Sequence, residues 1–530
     1  MRFSKRAQFG LFAGLIALNI ILRIPSVPHE LGNDSFCIHI LANTISEFGE
    51  ARWWVNPLSI VGLYPLSYAS AVPFILSGIS QCTALNVELV ILLYSFILGL
   101  FSIFAAYLLA GVVWDDDLFK FLVAFGFSTS QGVLTFSTWT ANARTLFVII
   151  LPLFIYLLLK VRVFKIRYGI LTFIILMLLF ATHNYIYFII PIITAYFIIV
   201  VSYKFGKYIS IKTIKNYDNL ANIFVVVSFL IMFLIPFLTL QDLWLSDPET
   251  RRAGVGSKYA LLPFMLHNYG RYIGILIVFA VGGYIYLVLK RNKKFEEWFL
   301  LLALVGLAPF LYVSTYMKWF ITTFAFLLIG IALTNIVVAE SRTKTRNKNK
   351  KVYPILLVAI LLVSIIFTGY YQDIHFIVNP PHYDRYMKEQ TYISGLWTRD
   401  NIDKNLFYDR GLTALMVSAV SGVPTLAGGA IGLSYGFYKS INDISISKNS
   451  PLSIAFYMQG PYVRTPRTSH IEADINYISH GYKKDLITKY NLSYVIEDED
   501  IGDNVFIRSV HQESDNLYDN GKIRIWNLEV

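Results

Sequence analysis

Asp34 stands in LGNDSF, the stretch from Leu31 to Phe36 that follows directly on the first long apolar run of the chain. A carboxylate held where lipid meets water can take a proton from an acceptor, or hold a divalent metal that neutralises a departing phosphate. The same acid can also do no more than turn or cap the chain at the end of a span. It opens a long outer loop that carries His39, Glu47, Glu50, Arg52, Trp53, Trp54 and the Tyr64-Pro65 turn. Lys318, in STYMKWF, falls at the outer end of a later apolar run. Its ammonium there either binds a phosphate as a point charge or snorkels to the interface. The stretch 240–270 holds Asp247, Glu249, Arg251 and Arg252 ahead of a Gly-rich segment. It reads either as a binding loop, with Asp247 and Glu249 as acids for a metal or an acceptor, or as a solvated connector. His183 and His267 sit at predicted outer ends and read as polar caps. Asp115, Asp116 and Asp117 resemble a metal-binding acid triplet but fall on the predicted inner side, where a solvated turn is the better reading.

The elements that must position these residues are apolar helices. The chain has 530 residues, of which 56% are hydrophobic and 15% charged. A soluble domain carries roughly 25% charged residues, and the mean hydropathy here is +0.55. This is the composition of a polytopic helical membrane protein. Spans of about 20 apolar residues fall near 8–25, 86–112, 119–137, 144–160, 168–182, 185–203, 221–239, 271–290, 297–315, 319–339 and 353–370, which makes eleven. The stretch 65–80 is apolar but short and broken by Pro and Gly, so it reads as a re-entrant or surface-lying helix.

Charge sets the orientation. Lys and Arg concentrate in KVRVFKIR (160–167), KFGKYISIKTIK (204–215), KRNKK (290–294) and SRTKTRNKNKK (341–351), all inner loops if the N-terminus is cytoplasmic. The net charge of +11 is spent on this pattern, which argues against a nucleic-acid partner. The basic start lacks a small-x-small cleavage site and reads as an uncleaved first span. Two cysteines, Cys37 and Cys82, are too few for a thiolate metal site, and unpaired thiols are favoured over a disulfide. From about residue 371 the apolar runs stop. Residues 371–530 therefore form a predicted extracytoplasmic mixed α/β domain behind a membrane domain over 1–370, with strands at 492–498 and 521–530 and a turn at Asn520-Gly521.

The order of these features resembles the GT-C superfamily of membrane glycosyltransferases, and within it the catalytic subunit of oligosaccharyltransferase. The similarity runs through Asp34-Ser35-Phe36-Cys37-Ile38-His39, then Gly49, Trp53-Trp54 and Tyr64-Pro65. STWTANARTLF (137–147) takes the place of the family's acidic second-loop motif, and Lys318-Trp319-Phe320 the place of its phosphate-binding Arg beside a Phe. Trp397-Thr398-Arg399-Asp400-Asn401 and Phe407-Tyr408-Asp409-Arg410-Gly411 stand where the family has a Trp-x-x-x-Asn helix and W-W-D-Y-G, and SGVPTLAGG (421–429) where it has a Gly and Pro turn. The second-loop acids are gone, with Asn142 and Arg144 in the region, and the two Trp of the sequon-reading motif are Phe407 and Tyr408.

The resemblance implies a GT-C-like fold and transfer of a sugar or glycan from a polyprenyl- or dolichyl-phosphate carrier to an extracytoplasmic protein, glycan or lipid. It makes Asp34 the catalytic base or a ligand for Mg or Mn, with His39, Asp247 and Glu249 as further candidates for metal or acceptor. Lys318 becomes the phosphate binder, Asn142 and Arg144 a second-loop site, and Tyr408, Asp409 and Gly411 the acceptor side of the outer domain. The plasma membrane is the expected location. The alternatives are a true oligosaccharyltransferase acting on Asn sequons, a lipid-linked sugar transporter or flippase, and a scaffold without activity.

Overall fold

The structure is a computed structural model. It describes residues 2–528 apart from 65, 163–165, 209–216, 240–244, 246, 343–351, 378–385, 404–405, 409–411, 452, 454–455, 457–459, 465–469, 482 and 500–504. Asp409 and Gly411 thus lie outside the described residues, as does Pro65 of the expected Tyr-Pro turn.

Helices underlie every apolar run of the first 377 residues. They are α1 (Lys5–Ile21), α2 (Asn33–Phe48), α3 (Ala71–Thr83), α4 (Val87–Val113), α5 (Asp117–Thr129), α6 (Gln131–Leu134), α7 (Ala143–Val161), α8 (Ile166–Phe180), α9 (Ile189–Tyr208) and α10 (Tyr217–Thr239). After them come α11 (Pro248–Arg252), α12 (Lys258–Ile273), α13 (Ile277–Leu289), α14 (Phe295–Leu307), α15 (Ser314–Phe320), α16 (Thr322–Arg342) and α17 (Val352–Ile377). Five segments among the described residues are long and apolar enough to cross a membrane, namely Val87–Val113, Ala143–Val161, Asn184–Lys204, Leu220–Thr239 and Pro354–Tyr371. A sixth is added if α12 and α13, bent by 98° at their junction, count as one. The expected eleven are therefore not established on length and apolarity.

Two breaks account for two of the expected spans, and α8 is apolar but too short, as is α16 over Thr322–Val338. Gly274, at φ +86°, sits at the α12–α13 junction in a conformation that a side chain rarely adopts, so the span expected at 271–290 begins only at Ile277. The span expected at 297–315 ends at Leu307, and the chain passes through a 3-10 turn before α15 starts. α12 also corrects the reading of 240–270 as irregular, since its second half is helical from Lys258.

Burial sorts the helices into layers. α7 is central, with 72% of its apolar window buried, whereas the window in α10 is 6% buried and faces outward. One apolar core joins α4, α5, α7, α9, α14 and α16.

Beyond residue 386 the chain folds around a four-stranded sheet. Strands β1 (Leu406–Tyr408), β4 (Leu492–Asp498), β5 (Asp515–Asp519) and β6 (Ile523–Asn527) lie in the order β1-β4-β6-β5, with β1 parallel to β4 and the other pairs antiparallel. A hairpin of β2 (Ile446–Lys448) and β3 (Tyr462–Arg464) stands apart. The expected strands 492–498 and 521–530 appear as β4 and β6, and Gly521 takes φ +81° at the turn between β5 and β6.

α2 joins the two regions. Phe36, fully buried, packs with Met387 and Met416. Asn43 donates its amide N–H to the carbonyl of Ala419 at 2.8 Å. The Met387 N–H donates to the Glu30 carbonyl at 3.1 Å beside a Leu31–Tyr386 bridge. The two cysteines are free, Cys37 half-buried and Cys82 exposed.

Candidate active site at Asp34

Two loops far apart in sequence are stitched together at this point. The Leu31 N–H donates to the Trp139 carbonyl at 3.0 Å. The Ala141 N–H donates to the Ser35 hydroxyl at 2.7 Å. Thr140 is held from behind by the Ser95 hydroxyl, which takes its N–H and meets its carbonyl, both at 3.2 Å. Gly32 allows the approach: it sits at φ +90°, and a Cβ there would stand 3.2 Å from the Thr140 hydroxyl. Asp34 then falls in the first turn of α2, where an acid is favoured by the helix dipole, and its side chain is 50% exposed. The turn reading of Asp34 is therefore correct as to backbone, but it does not use up the carboxylate.

Asn142 divides its amide between two tasks. Its oxygen caps α7 by accepting from the Arg144 N–H at 2.8 Å and from Arg144 Nε at 3.1 Å, while its nitrogen donates to Asp34 Oδ2 at 2.9 Å. The Arg144 guanidinium donates through Nη2 to the same Asp34 oxygen. The second-loop residues that replace the family's acids thus meet Asp34 directly, and the group they bring is a cation.

Aromatic rings hold this cation. The Arg144 guanidinium lies 4.8 Å from the Phe136 ring centroid and 5.2 Å from that of Trp319. Lys318, the neighbour of Trp319, is 1% exposed, with its ammonium 4.3 Å from the centroids of both Trp319 and Tyr272. Cations over indole and phenol faces are held by the ring quadrupole, more strongly when desolvated. Burial excludes the snorkelling reading of Lys318. The lysine lies in the last turn of the short helix α15, not at the start of the following span. Trp319 is therefore shared by two basic side chains that are far apart in sequence.

Asp247 supports this arrangement from behind. Its carboxylate accepts from the Thr250 N–H and hydroxyl at 3.1 and 3.0 Å, capping α11, and from the Thr315 N–H at 3.2 Å in the first turn of α15. It is fully buried. Through these bonds Asp247 ties α11 to the first turn of α15, the helix that carries Lys318. Glu249 lies in α11, and its side chain falls outside the described residues. Tyr408 ends β1, with its side chain likewise outside them.

Further polar side chains surround Asp34. Burial raises the Tyr68 phenol well above its usual range, and the charge of Asp34 adds to this. The Tyr316 phenol is raised by burial and by Asp34 and Asp247, against Arg144. His183 caps a 3-10 turn by accepting from the Tyr185 N–H at 3.1 Å, as its reading as a cap requires. Burial, and then the charge of Arg144, hold its imidazole well below the usual histidine range, so it is neutral at pH 7.

His39 turns elsewhere. Its Nδ1 lies 2.7 Å from Glu30 Oε2, within a second cluster in which His29 bridges Glu88 and Glu389 at 3.0 Å each. The sequence gives no local signal for that cluster, because its partners come from separate elements. Tyr68 and Tyr272 carry no local signal either, and Trp319 is marked only as the neighbour of Lys318. The acids at 115–117 are taken up in pairs with Arg2 and Lys120 and in the cap of α5.

Among the described residues, those around Asp34 do not make up a ligand set for a resident Mg or Mn ion. A divalent oxygen site needs several anionic ligands. The Asp34 oxygen that faces the second loop accepts from Asn142 and Arg144, and among the described residues no group of three or more His, Cys, Asp and Glu side chains is placed to hold a metal.

No protein-family model and no curated protein matches the sequence. Solved structures do match the fold. The oligosaccharyltransferase of Archaeoglobus fulgidus in its apo form superposes with a TM-score of 0.56 at 15% identity, over 94% of this chain and 70% of that one. Oligosaccharyltransferase AglB from the same organism, in complex with an inhibitory peptide and a dolichol-phosphate, gives 0.58 at 15% identity over 94% and 70%. A third structure of the archaeal enzyme, with Zn and sulfate, gives 0.58 at 15% identity over 92% and 68%. The chain therefore has the fold of an archaeal oligosaccharyltransferase, in divergent form.

Proposed function

We propose that this chain is a membrane glycosyltransferase that moves a sugar or glycan from a polyprenyl- or dolichyl-phosphate-type carrier to an extracytoplasmic acceptor. The observation that supports this best is the half-exposed Asp34 carboxylate beside two ring-held cations, the partly buried Arg144 and the buried Lys318. Asp34 takes the proton of the acceptor N–H or O–H. The acceptor atom bonds to the anomeric carbon, and the bond from that carbon to the carrier's phosphate oxygen breaks with its electron pair left on the phosphate. Lys318 attracts that phosphate, whose charge rises as the bond breaks. Residues 1–370 supply the catalytic unit. Residues 371–530 form an extracytoplasmic domain on the acceptor side, with the N-terminus in the cytoplasm and the whole in the plasma membrane. Mg or Mn, which the family resemblance implies, finds no ligand group at Asp34 among the described residues, and no step is routed through it.

A protein acceptor, including an Asn sequon, is the second reading. It is favoured by the relative that was solved with a peptide and dolichol-phosphate. Mass spectrometry of cell-surface glycans with and without the gene tests the activity, and sequon peptides offered to the purified protein separate the acceptors. A change in the glycans on deletion is the expected result, while identical glycans would remove the transferase reading.

A further inference from the structure

Arg144 touches the Asp34 carboxylate at one end and the Trp319 ring at the other, and Lys318 lies against the same ring. Two basic groups around one indole repel each other unless an anion stands close to both. Asp34 is such an anion for Arg144. One more donor belongs to the set. The Trp319 indole is 4% exposed, and its N–H has no hydrogen-bond partner among the described residues. A buried donor without a partner is destabilising, and such a donor on a ring shared by two cations suits an acceptor oxygen with negative charge.

We propose that Arg144, the Trp319 indole N–H and Lys318 form a metal-free cradle for the carrier's phosphate, and that the arriving phosphate draws Arg144 away from Asp34. The inference rests on the lipid-phosphate reading above and deepens it. In the resting protein Asp34 is engaged by Arg144 and Asn142, which makes it a poor base. A phosphate competes for the Arg144 guanidinium, because planar guanidinium groups pair with phosphate as well as with carboxylate. Once Arg144 turns to the phosphate, Asp34 keeps the Asn142 N–H and has an oxygen ready for the acceptor proton. Asn142 also holds Arg144 Nε, so the guanidinium can exchange its Nη2 partner without leaving the site. The base is thus unmasked only when a donor is present, and the acid motif that a metal would need is replaced by a cation carried on the chain.

The competition has an unusual consequence: removing the catalytic charge strengthens donor binding. Calorimetric titration of the full-length protein in nanodiscs with a polyprenyl monophosphate reads this directly. Asp34→Asn, which keeps the shape and an acceptor for Arg144, tightens binding about 3- to 10-fold. Arg144→Gln weakens it about 10-fold or more, and Trp319→Phe, which keeps an aromatic face but removes the N–H together with the five-membered ring, weakens it several-fold. A chelator leaves all these affinities unchanged. Binding that Asp34→Asn leaves unchanged or weakens, or that a chelator abolishes, overturns the cradle while leaving the transferase reading intact. Failure of the wild-type protein to bind the lipid phosphate overturns both.

Discussion

Glu30 and Asp34 stand on either side of Gly32, yet their carboxylates have opposite surroundings. Glu30 is fully buried and faces His39, which is itself almost fully buried, at 2.7 Å. Nearby, His29 stacks on Tyr392 at 3.9 Å and ties Glu88 of α4 to Glu389, the first residue of the helix Glu389–Asn401, at the seam between the helical region and the sheet-bearing region. By residue type this is the richer cluster, with three acids and two histidines. Asp34 has a poorer set, one acid with an amide and a guanidinium, but half of its side chain is open. The difference is that the seam spends its charges on each other, while the Asp34 site keeps one face for a substrate. Perturbed or clustered ionisable groups mark function only where something can reach them.

The comparison is broken most strongly at the cation. Lys318→Ala is expected to lower transfer by about 100-fold, the scale for losing one preorganised donor to developing charge, as measured in turnover with a lipid-phosphate-linked sugar. A value close to wild type would return Lys318 to a packing role. Asn142→Ala is expected to cost about 10-fold in transfer and about 1 kcal/mol in stability, since it removes both the hydrogen bond to Asp34 and the α7 cap. Thermal unfolding beside the rate assay separates the two effects. Glu30→Ala reverses the pattern. Stability falls by about 1–3 kcal/mol, because His39 is left buried without its partner, while the folded fraction transfers at close to the wild-type rate. A large rate loss at unchanged stability would move the active site into the seam.

The smallest effect concerns pH. Burial pulls the His29 imidazole down, but its hydrogen bonds and charge contacts with Glu88 and Glu389 outweigh this and leave it raised above the ordinary histidine value. A raised folded-state value means that the unfolded chain loses its proton first. The stabilisation is therefore complete below the unfolded value of about 6.5 and is lost as the pH rises through the higher folded value. His29→Ala should lower the melting temperature more at about pH 6 than at about pH 9, with transfer unchanged. An equal loss at both pH values would show that stacking on Tyr392 carries the residue.

Much of this molecule is legible in its sequence, and the exceptions have identifiable causes. Long apolar runs mark helices because burial in lipid or protein demands them, and β4 and β6 are placed by their β-branched and aromatic residues and by the Asn520-Gly521 turn. α12 is hidden because its face is mixed, with Lys258, His267, Asn268 and Arg271 spread along it. β5 is hidden because DNLYD is a polar edge strand, exposed at four of five positions. Asp34 and Lys318 are legible through their places beside apolar runs. Arg144 is legible as part of a second-loop site that lacks the expected acids, but its role is not. That it meets Asp34 at one end and Trp319 at the other depends on how α7 and α15 pack, which no local spacing encodes. His39 was placed with Asp34 because it follows closely in sequence, but it lies on a different side of α2 and pairs with Glu30.

The most direct test is transfer by purified Asp34→Asn protein in liposomes, using a polyprenyl-phosphate-linked sugar and cell-surface acceptor material, with the melting temperature measured on the same sample. Loss of transfer by about 1,000-fold or more with an unchanged melting temperature is the predicted result. Transfer at the wild-type rate by a folded Asp34→Asn protein would contradict the assignment of Asp34 as the catalytic base.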